Sequence, residues 1–223
     1  MSPPRGAIGI VLAGGRARRL AAAAPPGGKG ALDLAGRSFL ERIVSTVAAE
    51  VDHVIVVAAP GQPLPALPDG VEIVRDSEPG GGPLAGLRDG LAVAAGRTPL
   101  PRTAFVCACD APLLGRSVVR LLVGRGLDAG AAWVVPESAG HPQVLLSAIA
   151  PRLLPRIAAY LATGRRDLRG LLATIDAESP GLVVRVTAEE LATVDPAGDA
   201  LLDVDTPPDL ARLRRQGNPP SAP

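Results

Sequence analysis

Residues 7–30 read AIGIVLAGGRARRLAAAAPPGGKG. The first seven of them form a short, continuously apolar run that ends at Gly14 and Gly15. A run of this kind is typical of a parallel strand buried on both faces, and the glycines that follow it indicate a loop. The sequence therefore predicts a first strand over residues 7–13 that leads into a glycine-rich loop.

The same apolar pattern returns along the chain. It predicts strands at residues 54–58, 104–109, 133–136 and 182–186, and weaker ones at residues 71–75 and 143–146. Between these runs, apolar residues recur at helical spacing after Ser38, Pro83, Ser117 and Pro151, and two further helix starts are indicated at Thr187 and Thr206. Strands that alternate with helices predict an α/β fold with a doubly wound, mostly parallel sheet. We expect a single domain over residues 1–217 and a frayed tail over residues 218–223.

The composition limits the classes of protein and of partner. The chain has 223 residues, of which 47% are hydrophobic, so it can bury a core and disorder is not expected. Lys and Arg number 23 against 22 Asp and Glu, and a net charge of +1 gives no general attraction to nucleic acid or to an anionic membrane. Without a long apolar segment or a secretory leader, the sequence predicts a cytoplasmic location.

The loop after the first strand has the chemistry of an anion site. Gly14 and Gly15 let the backbone approach phosphate oxygens, and Arg18, Arg19 and Lys29 add positive charge. The loop matches neither the P-loop pattern nor the three-glycine dinucleotide fingerprint. It predicts a polyanion site, and the alternative is an ordinary turn with solvated arginines.

Three aspartates are candidates for a metal site. Asp110 ends the apolar run at residues 104–109, where a carboxylate faces the same crevice as the first loop. Asp203 and Asp205 alternate on an extended segment and so share one face. The alternatives are that Asp110 caps the next turn and that Asp205 caps the last helix.

A third loop, DSEPGGGPLAGL at residues 76–87, places three glycines before a helix start at Pro83. This arrangement suits a nucleotide or a phosphate, and Asp76 can accept hydrogen bonds from a ribose or a base edge. Taken alone, the triple glycine is also typical of a surface loop.

Several other residues have competing interpretations. Cys107 and Cys109 lie two apart on a predicted strand and are interpreted as core residues, not as a metal or redox pair. Trp133 is also assigned to the core. His141 is either an acceptor contact or a turn residue, and Arg165, Arg166 and Arg169 are either an acceptor-phosphate site or a solvated helix face.

The motifs together resemble the molybdenum cofactor guanylyltransferase family. They are, in order, LAGGRARRL (residues 12–20), Lys29, DSEPGGGPLAG (76–86), CACDAP (107–112), GHPQ (140–143) and DVDTPPDL (203–210). The resemblance covers roughly residues 8–213 and is more specific than any single motif. It implies a Rossmann-like fold of the nucleotide-diphospho-sugar transferase, or glycosyltransferase-A, type. The implied activity is magnesium-dependent transfer of GMP from GTP to the molybdopterin phosphate, with release of pyrophosphate.

The resemblance also implies roles for individual residues. GTP contacts fall on Leu12, Ala13, Gly14, Gly15, Lys29, Asp76 and Asp110, and catalytic roles on Arg19, Lys29 and Asp110. The magnesium ligands implied are Asp110, Asp203 and Asp205. The implied partners are GTP and a molybdopterin-type acceptor, with transient contact to molybdenum-cofactor insertion proteins.

Three features depart from the family pattern. Gly28 stands where the family has an aspartate before its lysine, AAAAPPG lengthens the loop, and Val57 or a neighbour replaces an asparagine. Two alternative functions follow: a related transferase that uses CTP or another phosphorylated acceptor, and a nucleotide-binding regulator without catalytic activity.

Overall fold

The computed structural model describes residues 6–14, 20, 25–128 and 130–217. The predicted tail at residues 218–223 lies outside this part. The described strands are β1 (Ala7–Leu12), β2 (Asp33–Leu34), β3 (Arg37–Ser38), β4 (His53–Ala58), β5 (Glu72–Arg75), β6 (Thr103–Ala108), β7 (Trp133–Ser138), β8 (His141–Pro142), β9 (Leu146–Ile149) and β10 (Val183–Val186). The helices are α1 (Phe39–Ala48), α2 (Gly82–Ala95), α3 (Arg116–Leu127), α4 (Leu154–Ala162), α5 (Leu168–Glu178), α6 (Ala188–Ala192) and α7 (Pro207–Gly217).

The central sheet has the strand order β10-β7-β9-β6-β1-β4-β5, with β8 added to β7. Strand β1 pairs in parallel with both β4 and β6, and β5 and β10 also pair in parallel with their neighbours. Only β8 and β9, among the strands of this sheet in the described residues, run antiparallel. The prediction of a doubly wound, mostly parallel α/β sheet is confirmed.

The strand predicted at residues 143–146 was wrong in position. The amide of Leu146 donates to the carbonyl of Gln143 at 3.0 Å, so these residues form a turn, and β9 begins only at Leu146. Residues 144–150 are almost entirely apolar. Hydrophobicity therefore did not mark where the chain turns back.

Helices cover both faces of the sheet. On one face, α1 and α3 pack on side chains such as Val11, Val56 and Phe105. On the other, α2, α4 and α5 pack on Ile10, Val57 and Val106. No helix start was predicted for α5, although Arg169, in its first turn, was assigned to either an acceptor-phosphate site or a solvated helix face.

The predicted helix starts are largely confirmed. The Ser38 hydroxyl accepts from the Glu41 amide at 3.1 Å, and the Thr187 hydroxyl accepts from the Glu190 amide at 3.2 Å. At the start of α7, the Asp209 carboxylate accepts from the amide of Thr206 at 2.9 Å. Helix α3 instead begins at Arg116, so Ser117 lies inside it.

A third, smaller core fixes the position of α7. It is formed by Leu20, Leu32, Leu34, Phe39, Val204, Leu210 and Leu213, all nearly fully buried. These residues come from position 20, from the β2–β3 hairpin and its flanks, and from α7 with the segment that enters it. Burial of this apolar surface holds the residues around position 205 against those around position 30. None of the described helices has the length and apolar character needed to span a membrane.

Candidate active site at the carboxyl edge of the sheet

The first loop leaves the sheet between two parallel neighbours. The Ala13 amide donates to the carbonyl of Val57 at 2.8 Å, and the Cys109 amide donates to the carbonyl of Leu12 at 3.2 Å. Leu12 and Ala13 are buried, whereas Gly14 is exposed. Ligands of open α/β sheets bind at this edge, and Gly14 is the first backbone that such a ligand can reach. Gly15, Arg18 and Arg19 lie outside the described residues.

Lys29 lies between two of the predicted aspartates. Its ammonium donates to Oδ2 of Asp110 at 2.9 Å and to Oδ1 of Asp205. The Lys29 side chain is only 18% exposed. Burial alone would lower the pKa of Lys29, but the hydrogen bonds to Asp205 and Asp110, together with their negative charges, raise it above its ordinary value. The lysine is therefore a fixed positive charge at this edge of the sheet.

A backbone hydrogen bond brings the segment 203–205 to Asp110. The Val204 amide donates to the carbonyl of Asp110 at 2.9 Å, while the Val204 side chain lies in the third core. Burial, followed by the charges of Asp110 and Asp205, raises the pKa of Asp203 to about 6, although Lys29 acts in the opposite direction. The structure thus brings together Lys29 and all three aspartates that were predicted from the sequence.

The start of α7 has its own capping residues. At the start of α7 the capping pair is Thr206 with Asp209, and the Asp209 carboxylate also accepts from the Asp205 amide at 3.3 Å. The Asp205 carboxylate instead accepts from Lys29, as does that of Asp110.

Gly28 has a structural reason to replace the family aspartate. Its φ of 72° and ψ of −156° lie in a region that only glycine occupies without strain. Lys29 then begins a short 3-10 turn, Lys29–Ala31. An aspartate at position 28 would require a different backbone path. The glycine at this position is therefore part of how this chain positions Lys29.

Gln62 was missed by sequence reasoning. Its side-chain amide donates to the carbonyls of Ala13 and Gly27 at 3.0 and 2.9 Å, and its carbonyl oxygen accepts from the Ala59 amide at 3.0 Å. The signal was available, since Gln62 is the one polar side chain in AAPGQPLP, directly after a buried strand that ends at the same edge.

The loop at residues 76–82 lies two strands away from β1, at the end of β5. Oδ1 of Asp76 accepts from the Glu78 amide at 3.0 Å, which gives the loop a local turn. Glu78 pairs with Arg88 at 3.3 Å and with Arg166 at 2.8 Å. Arg166 therefore ties the segment between α4 and α5 to this loop.

The remaining candidates separate into core and surface. Cys107 and Cys109 are buried and form no disulfide, and burial is the main cause that raises the pKa of Cys109 to about 12, so the core interpretation is confirmed. Trp133 is fully buried and donates to the hydroxyl of Ser147 at 3.1 Å. His141 is exposed at the start of β8, and Arg165 lies over the ring of Tyr160 at 4.4 Å.

Within the described residues, no group of three or more His, Cys, Asp or Glu side chains is arranged as a ready-made metal site.

Comparisons with known proteins identify the family of the chain. The sequence model of the MobA-like NTP transferase domain matches residues 9–179. A probable molybdenum cofactor guanylyltransferase from Mycobacterium avium is 37% identical over 193 residues, which make up 86% of this chain and 91% of the relative. One from Mycobacterium tuberculosis is 35% identical over 191 residues, 85% and 89% of the two chains.

Solved structures share the fold at low sequence identity. Molybdopterin-guanine dinucleotide biosynthesis protein A from Archaeoglobus fulgidus superposes with a TM-score of 0.73 at 21% identity, over 94% of this chain and 97% of that one. A 2-C-methyl-D-erythritol 4-phosphate cytidylyltransferase from Thermus thermophilus gives a TM-score of 0.66 at 17% identity, over 96% and 99%. The match over residues 9–179 and the identity to full-length relatives lead to one assignment: this chain belongs to the family of MobA-like NTP transferase domains.

Proposed function

We propose that the protein is a molybdenum cofactor guanylyltransferase, which transfers GMP from GTP to the phosphate of molybdenum-molybdopterin and releases pyrophosphate. The observation that carries the proposal is the position of Lys29, held by Asp110 and Asp205 at the carboxyl edge beside the β1 loop. The names of relatives at 35–37% identity over most of the chain support the choice of substrates.

The nucleotide is proposed to bind along the first loop. Leu12, Ala13, Gly14 and Gly15 supply backbone contacts, and Arg19 and Lys29 supply positive charge for the phosphates. An ammonium carries three N–H donors, of which Asp110 and Asp205 take two. Asp76, at the end of β5, is proposed to accept hydrogen bonds from the nucleoside.

We propose that acidic side chains supply ligands for a magnesium ion, although the described residues do not hold three of them as a ready-made site. Carboxylate oxygens are the ligands that Mg²⁺ prefers, and it is commonly held by one or two of them together with substrate phosphates. Asp110 and Asp205 share Lys29, and their charges help to raise the pKa of Asp203. When bound, the ion would offset the repulsion between the two anionic substrates. Asp110 is the proposed main ligand, with Asp203 and Asp205 beside it.

The proposed step is an in-line displacement at the α-phosphorus. An oxygen of the acceptor phosphate forms a bond to that phosphorus, the bond to the β-phosphate oxygen breaks, and pyrophosphate leaves with the electron pair. The attacking phosphate is already ionised at neutral pH, so no side chain has to remove a proton. Lys29 and Arg19 stabilise the negative charge that develops on the leaving group.

The proposal extends to the setting of the enzyme. We propose that residues 1–217 act as a single nucleotidyltransferase domain in the cytoplasm, without nucleic-acid or membrane partners. Transient contact with molybdenum-cofactor insertion proteins follows from the nature of the product.

The test is a panel of GTP, CTP, ATP and UTP with molybdopterin as the acceptor and Mg²⁺ present. We expect the highest kcat/KM with GTP, because a site that hydrogen-bonds the guanine edge leaves its own groups unsatisfied with another base. Product mass and pyrophosphate release are the readouts. A higher kcat/KM with CTP would contradict the guanine assignment, and no turnover with any of the four would favour a nucleotide-binding regulator.

A further inference from the structure

Gln62 joins the two ends of the first loop. Ala13 precedes residues 14–26 and Gly27 follows them, and the Gln62 amide nitrogen donates to the carbonyls of both. The same side chain accepts from the Ala59 amide through its oxygen. A single side chain therefore sets the distance between the strand that starts the loop and the turn that carries Lys29.

The backbone of Gln62 is itself held in place. The Arg75 guanidinium donates to the carbonyl of Gln62 at 2.9 Å and to that of Ala59 at 3.1 Å. The backbone N–H of Gln62 donates to the carbonyl of Ala59 at 3.1 Å and closes a turn. Because this turn follows β4 directly, Gln62 is anchored to the central sheet.

The lysine segment passes very close to this turn. A Cβ atom at Gly27 would lie 2.8 Å from the carbonyl oxygen of Pro63 and 2.7 Å from the Cβ of Ala31. Real side chains do not tolerate such distances, so residue 27 must be glycine for the two segments to meet. The glycine at position 27 leaves room for the lysine segment to lie against this turn, and the hydrogen bond from the Gln62 side chain holds it there.

From these contacts we infer that Gln62 is a positioning residue for the nucleotide site. It clamps Ala13 to Gly27 at the base of the loop, so that Lys29 already contacts Asp110 before the nucleotide binds. The expected effect on GTP rests on the proposed function, whereas the expected effect on the loop does not.

The chemistry of the three hydrogen bonds predicts which substitutions are harmful. A glutamine has both the donor for the two carbonyls and the acceptor for the Ala59 amide. Gln62→Ala removes all three bonds. Gln62→Glu keeps the shape and the acceptor but directs a carboxylate oxygen at two carbonyl oxygens, so it should be worse than Gln62→Ala.

The kinetic test compares KM for GTP with KM for the acceptor. In Gln62→Ala we expect KM for GTP to rise about tenfold, as the loss of one or two hydrogen bonds produces, and KM for the acceptor to stay within about twofold of wild type. The increase should be larger in Gln62→Glu. Arg152→Ala is the matched control, because Arg152 also donates to two backbone carbonyls, those of Gly130 and Ala131, at the opposite edge of the sheet. It should leave both KM values unchanged.

A second measurement does not need activity. Amide hydrogen exchange in the full chain without nucleotide should become about tenfold faster in residues 28–32 of Gln62→Ala, and remain unchanged there in Arg152→Ala. Unchanged exchange in Gln62→Ala, or an unchanged KM for GTP in an active enzyme, would overturn the inference. If the wild-type protein transfers no nucleotide but the exchange difference appears, the clamp stands and the proposed function fails.

Discussion

At the scale of single residues, we predict that the proposed nucleotide site depends strongly on Lys29. Lys29→Ala should lower kcat/KM for GTP by about 10²-fold or more, because its ammonium is held at the carboxyl edge of the sheet by Asp110 and Asp205. Arg37→Ala is the control: Arg37 pairs with Glu41 and Ser45 on the surface of α1. Steady-state kinetics on both variants decides the matter, and equal losses would contradict the assignment of Lys29.

Asp110 should matter for turnover and little for stability. Asp110→Asn keeps the shape of the side chain and should reduce kcat by about 10²–10³-fold, since a neutral amide is a weaker ligand than a carboxylate for the proposed magnesium ion. Its melting temperature should stay close to that of the wild type. Asp176→Asn, which removes an exposed partner of Arg185, is the matched control for a lost carboxylate. Near-normal turnover in a folded Asp110→Asn would remove Asp110 from the mechanism.

At the scale of elements, α2 lies unusually close to the sheet at Gly90. A Cβ there would lie 2.7 Å from Cγ2 of Ile10 and 3.2 Å from Cγ2 of Val57. Both neighbours are buried in the core and cannot move aside without strain. Gly90 therefore allows α2 to pack directly on β1, the strand that leads into the proposed site.

Two glycine substitutions in helices should have opposite effects. Gly90→Ala should destabilise the protein by about 1–3 kcal/mol through overpacking, even after the gain in helix propensity. Gly124→Ala in α3 should stabilise it by about 0.5–1 kcal/mol, because no described atom lies within 4 Å of the added Cβ. Chemical denaturation of both variants provides the comparison. A stabilised Gly90→Ala would mean that α2 does not pack on β1 as closely as described.

Elements were predicted well where the signal is local. The β1 run, the Ser38 and Thr187 caps and the Thr206 start of α7 depend on residues a few positions apart, and the structure confirms them. The direction of β9 and the role of Gln62 depend on contacts between distant segments, such as Gln62 with Ala13, which are 49 residues apart. No short pattern contains that information.

At the scale of the whole molecule, one buried carboxylate links the helices on one face. Glu50, at the end of α1, is 1% exposed and accepts from Arg116 at 3.0 Å and from Arg120 at 2.9 Å, both on α3. The hydrogen bond from Arg120 is the largest cause that lowers the pKa of Glu50, and burial acts against it. These two ion pairs of Glu50 join two helices that pack on the same side of the sheet.

Acid should weaken the contribution of these ion pairs to stability. Because the folded-state pKa of Glu50 lies below its ordinary value of 4.5, its contribution is present above that value and is lost as the pH falls through the folded pKa. Glu50→Gln should therefore have a melting temperature several degrees below that of the wild type at pH 7. The difference should shrink as the pH is lowered below about 4.5. A difference that does not change with pH would show that shape, not charge, is what Glu50 contributes.

The third core has a consequence for the biosynthesis of the protein. It brings Asp205 to Lys29 across 176 residues of chain, so Lys29 leaves the ribosome long before its partner does. At about 5–20 residues per second, the delay is roughly 9–35 s. During this interval β1 and its loop are outside the ribosome, but the acidic partner that helps to orient the lysine has not yet been translated. The charge arrangement of the site is therefore completed late in synthesis, when the segment that enters α7 folds onto the β2–β3 hairpin.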